Sequence, residues 1–218
     1  QAEDGIRDMP TGLVGSEMCI RDRPGTARDQ AVSAGVIPFC VKDRRVLFLF
    51  QKTFSGRKAG HLVDFGGGGE PGESRRQTAI REFVEETETM YFSDDVCSVR
   101  STPGSVLEQI PLVEALFDKT LGSHPDWRCR REPGSNGKPK DWETFFIEFA
   151  YRDVTNMNRE WELDSGTRFS KRRELEWVSA RALCDIYERS PDRLWKRFRQ
   201  LINATTLIRS INDCMIDR

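Results

Sequence analysis

The segment from residue 61 to residue 88 constrains the fold most, because a strand, a glycine run and a capped helix follow one another there directly. The sequence HLVDF at 61–65 predicts a short strand, and four glycines at 66–69 follow it at once. Ser74, with Gln77 three residues later, predicts a capping box at the start of a helix. Glycines at such a junction let the backbone turn sharply and approach another group closely. We therefore expect one strand–loop–helix unit here.

The helix that follows has two unlike faces when it is drawn at about 100° per residue. Its apolar face consists of Ala79, Ile80, Phe83 and Val84. Its opposite face carries three carboxylates within an arc of about 100°. These are Glu82, Glu85 and Glu86. Like charges three or four positions apart repel by a few tenths of a kcal/mol, and the single Arg81, one turn before Glu85, cannot neutralise all three.

The acidic face has two interpretations. A solvated helix face is the simpler one, but such faces usually interleave lysines at i+4 and none follows here. Carboxylates gathered on one face instead suit a hard divalent cation such as Mg²⁺, which takes oxygen ligands and commonly bridges substrate phosphates. Because no Gly-Lys-Ser/Thr sequence follows the glycines, a P-loop is excluded.

The rest of the chain mixes strands and helices without strict alternation, which predicts an α/β fold with a mixed sheet covered by helices. Strands are expected at 30–43, 45–53, 141–154 and 174–180, and Pro38 suggests that the first of them lies at an edge or contains a bulge. Ser179 is expected to cap a helix, and one helix is expected from Pro191 onward, with an apolar stripe of Leu194, Phe198, Leu201 and Ile202. Residues 106–118 fit either a strand or a helix and are broken by Pro111, and the rest of 94–125 gives no clear prediction. Residues 127–140 are expected to form a basic loop and residues 155–173 a polar connection.

Composition excludes some classes of protein. The 34 basic and 35 acidic residues nearly cancel, so no overall field favours nucleic acid or an anionic membrane. Six cysteines without a CxxC pair and two separate histidines give no support for a zinc site or a disulfide framework. We expect a reduced, intracellular protein, cytoplasmic before any organelle, and no membrane span, since the apolar runs are too short. Oligomeric state stays open.

The N-terminal segment is interpreted separately. The chain begins at Gln1, and GLVGSEMCIRDR at 12–23 resembles a conceptual translation of sequencing-adaptor sequence. The alternative is a genuine flexible arm. We expect residues 1–28 to lie outside the fold and residues 29–218 to form a single domain, and an organelle stays open because a targeting signal can be missing.

The segment 67–89 resembles the signature of the Nudix hydrolase family. That signature is Gly, five residues, Glu, seven residues, Arg-Glu, an apolar residue, any residue, Glu-Glu, any residue, Gly and an apolar residue. The matching residues here are Gly67, Glu73, Arg81, Glu82, Phe83, Glu85 and Glu86. Six fixed identities at fixed spacing arise by chance about once in 10⁷ starting positions at typical residue usage. Two positions depart, because Glu88 stands where the pattern has glycine and Thr89 where it has an apolar residue. Glu88 therefore predicts either an altered helix exit or a helix that runs on.

The resemblance implies an α/β/α sandwich around a mixed sheet. It also implies hydrolysis of a nucleoside diphosphate linked to another group, with Mg²⁺ or Mn²⁺ as cofactor. It makes Glu85 and Glu86 metal ligands, and Glu82 either a ligand or the base that activates water. It gives Glu73 and Arg81 supporting roles and brings the backbone of Gly66 and Gly67 near the metal.

Two other functions stay open. An RNA 5′-end hydrolase, acting on a cap or a pyrophosphate, would use the basic loop to hold phosphates. Its candidate substrate-binding residues are Arg128, Arg130 and Arg131. A non-catalytic module that binds nucleotide or RNA is the alternative outside the enzymes. The base can also lie outside the signature, and the downstream candidates are Glu160, Glu162 and Glu174, each of which also fits a surface position.

Overall fold

The computed structural model describes residues 32–132, 141–169 and 171–217. The expectation for residues 1–28 therefore lies outside the described residues, as does most of the loop expected at 127–140. The strands are β1 (Ser33–Lys42), β2 (Arg45–Thr53), β3 (Phe65–Gly68), β4 (Arg128–Arg130), β5 (Glu143–Glu148) and β6 (Arg173–Ser179). The helices are α1 (Arg75–Glu86), α2 (Pro103–Ser123), α3 (Thr155–Leu163), α4 (Ala180–Arg189), α5 (Lys196–Arg199) and α6 (Ala204–Ile216).

The six strands form one mixed sheet in the order β4-β5-β1-β2-β6, with β3 also paired to β1. The pair of β1 with β5 is parallel, whereas β1 pairs antiparallel with β2 and with β3. Alternate side chains enter different cores, as period-two strands require. Leu49 and Phe145 face the side covered by α1, α2 and α3, and Phe48 and Phe146 face the side covered by α4 and α6. The predicted α/β/α sandwich around a mixed sheet is confirmed.

Strand β1 is central, so the prediction that Pro38 marks an edge strand is wrong. Residues 33–36 pair with β3 and residues 39–42 pair with β2, while β5 runs along the other side. Pro38 lies between these two stretches, where one edge of β1 changes its partner from β3 to β2. A missing N–H at that point interrupts neither of the two antiparallel registers.

Three of the four glycines, Gly66 to Gly68, belong to strand β3. The strand therefore lies closer to the C-terminus than the one predicted at 61–65. Val63 forms an isolated bridge with Gln51, whereas regular pairing begins at Phe65 and continues through Gly68. A side chain at Gly66 would put its Cβ only 2.3 Å from the carbonyl oxygen of Ala34. The glycine is required because the two backbones approach so closely.

The tail is not one helix, as its apolar stripe had suggested. A bridge between Leu62 and Leu194 holds the backbone extended, with Leu62 N–H donating to the Arg193 carbonyl at 2.8 Å. Asn203 adopts a left-handed conformation, with φ of 59°, and separates α5 from α6. Periodicity alone does not reveal these interruptions, because the apolar spacing continues through them.

Three further segments have a secondary structure that the sequence analysis did not predict. Residues 155–163, expected as a connection, form α3, which buries Met157 and Trp161 against β6. Residues 103–123, left open by the sequence, form α2 with the exposed Pro111 inside it. Arg128 and Arg130 lie in strand β4 and not in a loop. Within the three described stretches, no helix combines the length and apolar character needed to cross a membrane.

Candidate active site

Helix α1 is held firmly at its start and along one face. Ser74 and Gln77 form the predicted capping box, in which the Ser74 hydroxyl accepts from the Gln77 N–H and Gln77 Oε1 accepts from the Ser74 N–H. Phe83 packs against Phe65 and Phe149, with ring centroids 5.0 and 4.9 Å apart. The apolar face is thereby fixed to the sheet, and the acidic face is fixed in rotation about the helix axis.

Arg81 connects the acidic residues on the N-terminal side of the site. Its Nε and Nη2 donate to the two oxygens of Glu73 at 2.8 and 3.1 Å, and its Nη1 donates to Glu85 at 2.8 Å and to Glu82 at 3.2 Å. Nη2 also reaches the carbonyl of Gly68 at 2.9 Å. The hydrogen bonds from Arg81 lower the pKa of Glu73, and those to Glu73 raise the pKa of Arg81. This clamp therefore stays charged at neutral pH.

Glu82 lies against the glycine strand. A Cβ added to Gly67 would lie 2.3 Å from Glu82 Oε1, so only glycine leaves room for this carboxylate. Burial, followed by the charge of Glu86, raises the pKa of Glu82 to about 7, although Arg81 opposes the rise. The charge of Glu85 adds to it. Burial and the neighbouring carboxylates together thus outweigh the effect of Arg81 on the pKa of Glu82.

Glu86 is held from the other side by groups distant in sequence. Its Oε2 accepts from the Gly66 N–H at 2.8 Å and from Gln51 Nε2 at 2.5 Å. Its Oε1 lies 3.6 Å from Arg173 Nη2, and Arg173 Nε donates to Gln51 Oε1 at 2.9 Å. The strands β2, β3 and β6 therefore all contribute to the orientation of this one carboxylate.

The residue types suit a hard divalent cation, although the geometry is not that of a closed metal cage. Within residues 32–132, 141–169 and 171–217, no group of three His, Cys, Asp or Glu side chains is arranged to hold a metal ion. The donors are nevertheless carboxylate oxygens, which Mg²⁺ and Mn²⁺ prefer. The raised pKa of Glu82 shows that added positive charge would be favourable there. The residues therefore fit such a cation chemically.

The exit of α1 resolves the departure at Glu88 and Thr89. The helix ends at Glu86, so the alternative of a longer helix is wrong. The Thr89 N–H donates to the Val84 carbonyl and the Glu88 N–H to the Glu85 carbonyl, both at 3.0 Å, which is the Schellman pattern. Glu88 and Thr89 have φ of 51° and 58°. The turn that glycine would form is thus retained in a left-handed conformation that costs about 1–2 kcal/mol per residue for side chains other than glycine.

The three arginines expected to bind substrate have other partners. Arg128 and Arg130 lie 3.8 and 3.6 Å from Glu143, and Arg131 donates to Gln200 Oε1 through Nε at 2.9 Å and Nη2 at 2.6 Å. Arg128 and Arg130 line a cavity of about 410 Å³ at the α6 side of the sheet. Helix α1 instead packs against β1 and β3.

The downstream glutamates are engaged in ion pairs. Glu160 pairs with Arg168, Glu162 lies 3.6 Å from Arg172, and Glu174 lies 3.8 Å from Lys52. The side chain of Glu162 is exposed and that of Glu174 is half-exposed, which favours the surface interpretation for these two, whereas the side chain of Glu160 is mostly buried in its pair with Arg168.

Several residues of the site give no sequence signal. Gln51 and Arg173 are examples, because both appear as ordinary polar residues of strands. Asp64 is completely buried and accepts from Arg197 Nη2 at 2.7 Å, and the same Nη2 donates to the Gly66 carbonyl at 3.1 Å. Arg197 also stacks 3.5 Å from the ring centroid of Trp142. An acid inside the apolar sequence LVDF hints at a buried partner, but only the fold reveals that it lies 133 positions away.

Comparison with known proteins identifies the family. The NUDIX domain model matches residues 29–201. No curated protein matches the sequence. Similar solved structures include a binary complex of the C. elegans Ap4A hydrolase, at 14% identity and a TM-score of 0.45, covering 86% of this chain and 99% of that one.

Two further structures have comparable similarity. RenU, a Nudix hydrolase from M. smegmatis, has 13% identity and a TM-score of 0.40, with 86% of this chain and 91% of that chain covered. A mutT/nudix family protein from Listeria innocua has 10% identity and a TM-score of 0.38, with 86% and 95% covered. The assignment rests on the domain model, which spans most of the chain: the protein belongs to the NUDIX domain family.

Proposed function

We propose that this chain is a divalent-metal-dependent hydrolase that cleaves the phosphoanhydride of a nucleoside diphosphate linked to another group, and that residues 29–218 act as a single domain. The observation that carries the proposal is the position of Glu82 and Glu86 against the glycine strand, with the charge of Glu85 near enough to act on Glu82. Burial and the neighbouring carboxylates raise the pKa of Glu82 to about 7 in spite of Arg81. A site with surplus negative charge next to a close backbone approach suits a cation that also binds phosphate.

The proposed roles of the residues are those that the family resemblance implies, and the contacts of the site support them. Mg²⁺ or Mn²⁺, when bound, supplies neutralisation of the phosphate charge. Glu85 and Glu86 would hold the cation, with the backbone of Gly67 beside it. Glu82 is either a further ligand or the base that takes a proton from the attacking water, for which it must lie within hydrogen-bond reach.

Two residues support this set. Arg81 orients Glu82 and Glu85 by hydrogen bonds at 3.2 and 2.8 Å. Glu73 fixes Arg81 through a two-point contact, which is stronger and more directional than a single hydrogen bond. Glu73 therefore acts at the periphery of the site, through the arginine.

The proposal is tested by measuring phosphate release from a panel of nucleoside diphosphate derivatives with Mg²⁺ or Mn²⁺. Glu86→Gln should lower kcat/KM by about 10²-fold or more, because it removes a ligand charge while keeping the side-chain shape. Glu108→Gln, on the exposed side of α2, is the matched control and should behave as wild type. Equal activity of wild type and Glu86→Gln would refute the catalytic role, and nucleotide binding without turnover would favour a non-catalytic module.

A second candidate, hydrolysis at RNA 5′ ends, is favoured by the basic cavity beside β4. Arg128 and Arg130 are more than half exposed and share this cavity with Asn203, Thr206 and Ser210, which can contact phosphate and sugar.

An RNA mobility shift at low salt tests this candidate. Arg128→Ala/Arg130→Ala should weaken the complex about tenfold, and the exposed pair Arg181→Ala/Arg189→Ala on α4 should not. No binding by wild type at low salt would remove the RNA candidate.

A further inference from the structure

The residue at the family's glycine position combines two unfavourable features. Glu88 has a left-handed backbone, with φ of 51°, in the helix-exit turn where glycine costs nothing. Its side chain is also buried, with only 7% of the residue exposed. A strained backbone and a buried carboxylate persist together only where surrounding structure compensates for both.

Arg173 is one compensating group. Its Nη1 lies 3.8 Å from Glu88 Oε1, and its Nη2 lies 3.6 Å from Glu86 Oε1. Its Nε donates to Gln51, and Gln51 in turn donates to Glu86. One buried guanidinium is thus shared between Glu86 and Glu88, at distances longer than a direct hydrogen bond.

The sharing has a consequence for Glu86. An arginine facing a single carboxylate tends to close into a short, two-point ion pair. A second carboxylate on the other terminal nitrogen of Arg173 opposes that closure, because it attracts the same charge. Glu86 Oε1 then keeps more of its negative charge for another cation.

We propose that Glu88 is a positioning residue, which acts through Arg173 to keep the Glu86 carboxylate available for the divalent cation. This inference rests on the proposed function of Glu86. Glu88, which departs from the family pattern, would thus adjust the affinity of the cation site, and its left-handed backbone would add strain to the turn.

The test compares Glu88→Gly with Glu88→Gln in metal-free protein. Both variants remove the charge that faces Arg173, so each should weaken Mn²⁺ binding about tenfold, measured by calorimetry, and lower kcat more than it changes KM. Glu88→Gly should also raise the Tm, because glycine relieves the left-handed strain, whereas Glu88→Gln should not. Arg44→Gly is the control, since Arg44 has φ of 55° in the exposed β1–β2 turn. It should leave Mn²⁺ affinity unchanged.

A double-mutant cycle identifies the route. In an Arg173→Gln background, the further change Glu88→Gln should have no additional effect on Mn²⁺ affinity, because the arginine through which it acts is gone. An undiminished further effect would overturn the route through Arg173. Should Glu88→Gly fold poorly, Glu88→Gln keeps the side-chain shape and carries the test.

Glu86→Gln separates this inference from the proposed function. If Glu86→Gln loses Mn²⁺ binding and activity while both Glu88 variants match wild type, the role of Glu88 is wrong and the proposed function stands. If Glu86→Gln itself binds Mn²⁺ and turns over as wild type, the proposed function fails and this inference fails with it.

Discussion

The two arginines on either side of the carboxylate set, Arg81 and Arg173, differ in the origin and tightness of their contacts. Arg81 bonds to groups between 1 and 13 positions away, at 2.8–3.2 Å. Arg173 reaches Glu86 and Glu88 from the far strand β6, at 3.6–3.8 Å. Arg81 thus closes tightly on one side, and Arg173 contributes longer ion pairs on the other, where Gly66 and Gln51 bond to Glu86 at 2.8 and 2.5 Å. The difference indicates that the two sides of the site depend on their arginines to different degrees.

A third arginine, the buried Arg197, tests what decides how much stability an ion pair contributes. The two candidates are the separation of the partners in sequence and the distance between their paired atoms. Arg197 is distant in sequence from Asp64 but tightly paired to it, at 2.7 Å. Arg197→Gln should lower the free energy of unfolding by about 3–5 kcal/mol, because it leaves the fully buried Asp64 carboxylate uncompensated. Urea unfolding measures this. A loss below about 1 kcal/mol would show that Asp64 finds another partner. Arg199→Gln, at an exposed pair with Asp192, is the control.

Activity should distinguish the two arginines of the opening comparison. Arg81→Gln should lower kcat/KM by about 10²-fold, because it releases Glu82, Glu85 and Glu73 together. Arg173→Gln should lower it by about tenfold at most, since the Gly66 N–H and Gln51 still hold Glu86 and no arginine then competes with the cation for its charge. Steady-state kinetics over the same substrate panel measure both. The reverse order would show that the looser arginine dominates.

The pKa of Glu82 is raised by burial and by the charge of Glu86, in spite of the opposing effect of Arg81. The folded-state pKa of about 7 lies above the ordinary value of 4.5. Below pH 4.5 both folded and unfolded chains hold the proton, so this carboxyl costs nothing. As the pH rises from 4.5 through 7, the unfolded chain loses its proton first and the stability of the metal-free protein falls.

Glu82→Gln should therefore be more stable than wild type by about 3 kcal/mol at pH 8 and equal to it near pH 4. Unfolding by urea in the presence of a chelator, as a function of pH, checks this difference. Glu108→Gln supplies the baseline. A difference that does not depend on pH would show that Arg81 already balances the charge.

The sequence predicts the local half of this architecture and not the long-range half. The capping box, the apolar face of α1, strand β2 and the contact of Arg81 with Glu85 follow from residues a few positions apart, so periodicity and spacing suffice for them. Gln51, Arg173 and Arg197 join the site only through strand order. That order is set by packing of the whole sheet and leaves no periodic signal in the neighbourhood of any one of them.

The two wrong predictions, for Pro38 and for the C-terminal tail, also arise from long-range pairing. Pro38 predicts an edge position when β1 is considered alone, and the tail predicts one helix when its stripe is considered alone. In each case, pairing with a segment elsewhere in the chain overrides the local preference. Strand β1 pairs with β3 and β2, and the tail pairs with Leu62. The turn at Glu88 illustrates the opposite case, because the backbone keeps the conformation of the family's glycine and the new side chain gains a buried partner.

Binding of a divalent cation by the carboxylate set tests the central claim most directly. Calorimetric titration of metal-free wild type with Mn²⁺ should show one site per chain, retained in the control Glu108→Gln/Glu114→Gln and lost in Glu85→Gln/Glu86→Gln. Mn²⁺ binding of equal affinity in all three proteins would contradict the account, because the cation would then be held by other residues.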